Sequence, residues 1–148
     1  MSWFFVLSSR VPALLPCAMS SLDRAGHLGV PAWAVGHGLG HYQSGEPLLE
    51  RHPRTVAPLE LLESGSLSTG VLVASAHGPE FPPKDENTQP VRHKRLLFVQ
   101  SGRVEEFARV KDALGRALPE AWQGHRRGDT DAELVALLVL RRLKERGG

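Results

Sequence analysis

The stretch Gly36-His37-Gly38-Leu39-Gly40-His41-Tyr42, followed after Gln43-Ser44-Gly45-Glu46 by Pro47-Leu48-Leu49-Glu50-Arg51, decides how this chain folds. Glycines at every second position leave one face of an extended strand bare. A bare face lets another backbone, or a chain terminus, come close. Ser44-Gly45 supplies a turn, so the segments Gly38 to Tyr42 and Pro47 to Arg51 read as a hairpin. The same glycines superficially suggest a phosphate-cradling loop. Such a loop follows a strand and opens a helix, whereas a strand and hairpin follow here, so that reading is rejected.

Outward from the hairpin, short apolar runs alternate with Gly and Pro through the first hundred residues, and helical periodicity begins only afterwards. Trp3 to Leu7 reads as a buried strand, and Val71 to Ala76 and Arg95 to Gln100 as two more; Pro58 to Glu63 reads as a short helix. Gly78 to Arg92 holds four prolines with Lys84, Asp85, Glu86 and Asn87, the composition of a surface loop. Phe107, Val110, Leu114 and Ala117 recur at spacings of three and four, one face of a helix that ends before Pro119. Thr130 and Glu133 form a capping box for a last helix, with Leu134, Leu137 and Leu138 on its apolar face. Lys144 and Arg146 precede Gly147 where a C-terminal cap belongs.

The 148 residues are 41% hydrophobic and 23% charged, which suits one domain with a core and excludes a disordered tail or a disulfide-stapled miniprotein. The net charge of +2 comes from 18 basic against 16 acidic residues with no basic stripe, so no nucleic-acid partner is expected. A single cysteine, Cys17, forms no internal disulfide. The apolar opening lacks a basic n-region and is interrupted by Arg10, Pro12 and Pro16, unlike a signal peptide. No run reaches the roughly eighteen apolar residues of a membrane span, so no membrane contact and a cytoplasmic location are expected. Of the seven histidines, His37 and His41 share a strand face with His27 nearby. No acidic or thiol ligand stands at a matching spacing, and neither a metal nor another cofactor is expected.

Ser2 carries the most chemistry. Removal of the initiator methionine before a small residue leaves a serine whose own amine sits beside its hydroxyl, so one residue is both nucleophile and base. An α-amino group with a reference pKa of about 7.7 to 8.0 takes a proton near neutrality.

Around Ser2 stand several short motifs in order. Met1-Ser2-Trp3-Phe4-Phe5 opens the chain, and the glycine-rich strand ends in Tyr42. Val71 to Gly78 follows, then Glu86-Asn87-Thr88-Gln89-Pro90, Leu96 to Phe107 around Ser101-Gly102, and Gly128-Asp129-Thr130-Asp131-Ala132-Glu133. In this order and spacing the chain resembles the glutaminase domain of class II glutamine amidotransferases, members of the N-terminal-nucleophile hydrolases. These segments look like that family's Met-Cys opening, its glycine-rich strand, the strand ending near Arg-X-Ala-Thr, Glu-Asn-Thr-His-Pro, His-Asn-Gly, and Gly-X-Thr-Asp-Ser-Glu. The resemblance implies an α+β fold of stacked antiparallel sheets flanked by helices, αββα, over a single domain spanning residues 1 to 148. It also implies that Ser2 adjoins the Ser101-Gly102 turn at the open end of the strands carrying Gly38 and Ala74.

By the same resemblance, Ser2 stands at the nucleophile, Ser101 and Gly102 at the oxyanion donors, and Asp131 at the group that meets a substrate amine. No arginine stands on the strand Ala74-Ser75-Ala76-His77, where the family holds the substrate carboxylate; His77 is the group available there. An alcohol replaces a thiol, a short hydroxyl replaces an amide, and the carboxylate clamp is missing. Removal of one oxyanion donor typically costs a factor of about a hundred to a thousand in turnover. The family's fold also runs on well past the last helix of this chain, so a second copy or a partner chain is expected against the apolar helix from Asp131 to Arg146, or else a smaller core. Three readings follow: a degenerate domain acting as a binding or assembly subunit for glutamine or another small amide; an active amidohydrolase using Ser2; and an unrelated small α+β interaction protein whose Ser2 lies far from Ser101.

Overall fold

The computed structural model describes residues 2–27, 29, 31–53 and 69–147. Strands β1 (Ser2–Ser8), β2 (Gly36–Gln43), β3 (Glu46–His52) and β4 (Val71–His77) form an antiparallel sheet in the order β1-β4-β2-β3. Ser44 and Gly45, at φ 52 and 81, turn β2 into β3, as the mirror-image turn of a two-residue hairpin requires. The expected short helix at Pro58 to Glu63 lies outside the described residues.

Side-chain alternation gives the sheet two unlike faces. On one, Leu39, Leu72 and Ala74 pack with Phe5 and Leu7 against Leu15, Met19 and Leu22 of helix α1 (Leu15–Arg24). Each large side chain buried in this way is worth about 1.5–3 kcal/mol. Sequence periodicity missed α1 because Pro12 and Pro16 read as interruptions. Pro16 instead stands in the first turn of α1, where the missing N–H had no helical partner to lose. β1 corrects a second expectation: among the described strands it lies at the edge, with Phe4 39% and Val6 49% exposed on the face away from α1.

The other face is the bare one. A Cβ on Gly38 would collide with the backbone carbonyl of Gln89, and one on Gly40 would sit 2.9 Å from Leu97 Cδ1. Ser75 Oγ donates to Gln89 O at 2.6 Å and Arg51 Nη2 donates to Pro90 O at 2.9 Å. The stretch from Gly78 to Arg92 is therefore a surface loop only in its first half. Asn87, Thr88, Gln89, Pro90 and Val91 are buried because the glycines admit them. The chain then forms a two-stranded hairpin, β5 (Val91–His93) and β6 (Leu96–Phe98), shorter than the strand expected from Arg95 to Gln100.

Helices α2 (Phe107–Arg116), α3 (Glu120–Gln123) and α4 (Asp131–Glu145) cover the hairpin side. Leu118, Leu134 and Leu137 form a second core with Phe107, Leu114 and Trp122, and the His93 ring stacks on Trp122 at 5.0 Å. Thr130 Oγ1 accepts the Glu133 N–H at 3.2 Å as a cap, but the Glu133 carboxylate turns away to accept Arg127 N and Gly128 N at 2.7 Å each. The capping box is thus half formed. The result is an α+β fold with two antiparallel sheets between α1 and α2–α4. No described helix is long and apolar enough to cross a membrane.

The tight approach to β2 predicts that Gly38→Ala destabilises the fold by about 3 kcal/mol, because a carbonyl cannot yield as a flexible side chain can. Denaturant unfolding measures it. His37, 1% exposed and stacked on His52 at 5.1 Å, supplies a pH prediction. Burial, reinforced by His52 and His77, pulls its pKa down from 6.5 to about 4. On acidification below 6.5 the unfolded chain takes up a proton that the folded one refuses until about 4, so stability falls across that window. In His37→Gln this part of the slope of melting temperature against pH disappears.

Candidate functional site

The site is built where β1 begins and β4 ends. Antiparallel register sets Ser2 opposite His77, and His77 opposite Gly36, so Ser2 and His77 share the bare face. Ser2 Oγ lies 3.2 Å from Gln100 O and 3.4 Å from Gly102 O, donating its proton toward these carbonyls. In return Ser101 Oγ donates to Ser2 O at 2.8 Å. Gly102 adopts φ +100, a conformation a side chain would strain, and this lets the turn double back beside Ser2. The expected neighbourhood of Ser2 with Ser101-Gly102 is therefore present.

Gln89 holds this turn in register. Its side chain is 6% exposed and copies a backbone pair: Oε1 accepts Gln100 N at 2.7 Å and Nε2 donates to Gln100 O at 3.2 Å. Asp131, 4% exposed, does the same on the far side. Oδ2 accepts Val104 N at 2.6 Å and Oδ1 accepts Ala132 N at 2.8 Å, joining the turn to the start of α4. A carboxylate accepting two N–H groups is well solvated by the chain itself. His77 Nδ1 lies 3.0 Å from Gly78 O and Nε2 lies 3.2 Å from Thr88 Oγ1, whose hydroxyl donates to Lys84 O at 3.0 Å.

A cavity of about 520 Å³ opens between these elements. Ser2, His77, Gly102 and Asp131 all line it, whereas the Ser101 hydroxyl is turned to the Ser2 carbonyl. Sequence reasoning missed Glu80, Phe81, Arg103 and Phe107 in the same wall. Arg103 was legible as the residue after Gly102. Phe81 sits in a loop with no periodicity to mark it, and Phe107 was taken only as the first apolar position of a helix. Among the described residues no group of three or more His, Cys, Asp or Glu is arranged to hold a metal ion.

Searched against known families, the chain matches no family profile, and it matches no curated protein. A solved structure does match: a glutamine aminotransferase class-II domain protein from Silicibacter pomeroyi, with a TM-score of 0.57 and 23% identity over 71% of this chain. The fold is similar to that one. The likeness covers 46% of the Silicibacter chain, so this chain spans less than half its length.

Because Asp131 serves two backbone donors, Asp131→Asn turns an amide N–H against one of them. Chemical denaturation should register a loss of about 1–3 kcal/mol. Hydrogen exchange should quicken at Val104 or Ala132, and unchanged protection at both amides would contradict this account of the turn.

Proposed function

We propose that this chain is a glutamine-amidotransferase-like domain that retains an amide-binding cavity, has little or no glutaminase activity, and serves as a binding or assembly subunit. One observation carries the reading: the Ser101 side chain that the family resemblance places at the oxyanion hole, and the Asp131 and His77 side chains it leaves for substrate binding, are engaged within the chain. Ser101 Oγ, the counterpart of an oxyanion donor, donates to Ser2 O. Asp131, the counterpart of the amine-binding carboxylate, is met by two backbone N–H groups. Both ring nitrogens of His77 face chain partners, which weakens it as a replacement for a guanidinium clamp. A serine alcohol without its full oxyanion hole is a poor acyl acceptor.

A second reading has its own support. Ser2 and Gly102 line one cavity with Asp131, the arrangement an amidohydrolase with Ser2 as nucleophile, its amine as base and Gly102 N–H as oxyanion donor would use. The two readings part in one experiment. After intact mass establishes a free Ser2 amine, ammonia release from glutamine and a small panel of amides is followed against a Ser2→Ala control. The expected result is no release above the control; release that vanishes with Ser2→Ala makes the chain an active amidohydrolase. Light scattering of the same sample at micromolar concentration tests assembly. A species larger than the monomer or a copurifying chain is expected, with the outer face of α4, where Val139 is 41% and Leu143 50% exposed, as the contact.

A further inference from the structure

We infer that the ligand of the cavity is an amide bearing an apolar group, an aryl or branched alkyl substituent, seated against Phe81 and Phe107. The inference rests on the amide-binding reading above and names the class of amide.

Three polar side chains at the floor of the cavity, Asn87, Gln89 and Asp131, are engaged within the chain, while the charged Glu80, Arg103 and Glu105 stand on its wall. Gln89 spends both ends of its side chain on Gln100. Asn87 Nδ2 donates to Pro82 O at 2.9 Å while its Oδ1 accepts Asp129 N at 3.0 Å. Asp131 accepts from Val104 and Ala132. Groups paired in this way gain little from a polar ligand, since a new hydrogen bond must displace one already made within the chain.

Beside these groups the cavity has an apolar wall. The rings of Phe81 and Phe107 meet edge to face, 6.3 Å between centroids and 80° between planes, and Val104 and Ala132 extend the same wall. Phe107 is anchored from behind by the second core. Phe81 is half-buried on its loop. Covering that surface contributes binding free energy, and a further ring packs on such an edge-to-face pair with defined geometry.

Volume agrees. About 520 Å³ falls in the roughly 300–1,000 Å³ range of sites that enclose drug-sized ligands.

The test titrates the whole chain by calorimetry with acetamide, L-glutamine, N-benzylacetamide and the γ-anilide of glutamic acid. Discrimination by one apolar group in a pocket runs from about 10- to 200-fold, so the two aryl amides should bind at least tenfold more tightly than their counterparts without a ring. Phe81→Ala should remove that preference and Phe81→Leu keep part of it, the leucine variant remaining informative if the alanine variant does not fold. Amides that bind with no preference for the ring, or a preference unmoved in both variants, overturn the inference and leave the amide-binding reading standing. Binding of none of the four overturns both.

Discussion

The contact on which the rest depends is between two backbones: the Gln89 carbonyl lying on Gly38. Stacked sheets normally sit about 10 Å apart, separated by interleaved side chains. Here Gly36, Gly38 and Gly40 leave most of that face of β2 without side chains, so the backbone at Gln89 settles directly onto it, held by the Ser75 hydroxyl at 2.6 Å and the Arg51 guanidinium at 2.9 Å. From that seat the Gln89 side chain reaches Gln100, Gln100 fixes the turn that meets Ser2, and Asp131 fixes the same turn to α4. The two cores, one under α1 and one among α2, α3 and α4, are joined through this line of polar contacts.

The line also explains a tension in the chemistry. A side chain that positions backbone is bound tightly by it, and a side chain that acts on substrate must be free to exchange partners. Ser101 and Asp131 both hold backbone in this structure, at Ser2 O and at Val104 N and Ala132 N. The cavity keeps its shape through groups whose polarity is already spoken for.

Much of this was legible in the sequence. Alternating glycines announced a close approach to β2, the Ser44-Gly45 turn fixed the hairpin register, and Thr130 marked the start of α4 through ordinary capping chemistry. Ser2 beside Ser101-Gly102 followed from the family resemblance rather than from periodicity. The misreadings have physical causes. Pro16 opens a helix or breaks one depending on what precedes it. The burial of residues 87 to 91 comes from the space the glycines leave on β2, which local composition does not reveal. β1 is as apolar as a central strand, yet its outward Phe4 and Val6 face no described neighbour that would bury them.

That position of β1 bears on how rigidly the hydroxyl of Ser2 is held. Among the described strands β1 pairs on one flank alone, with β4, so the backbone amides of its outer flank add no stiffness to the residue at its tip. The Ser101 hydroxyl and the carbonyls of the 100–102 turn supply the restraint from the side of the cavity. Ser2 is thus held by β4 on one side and by the 100–102 turn on the other, and a change that displaces the start of the first strand displaces the serine with it.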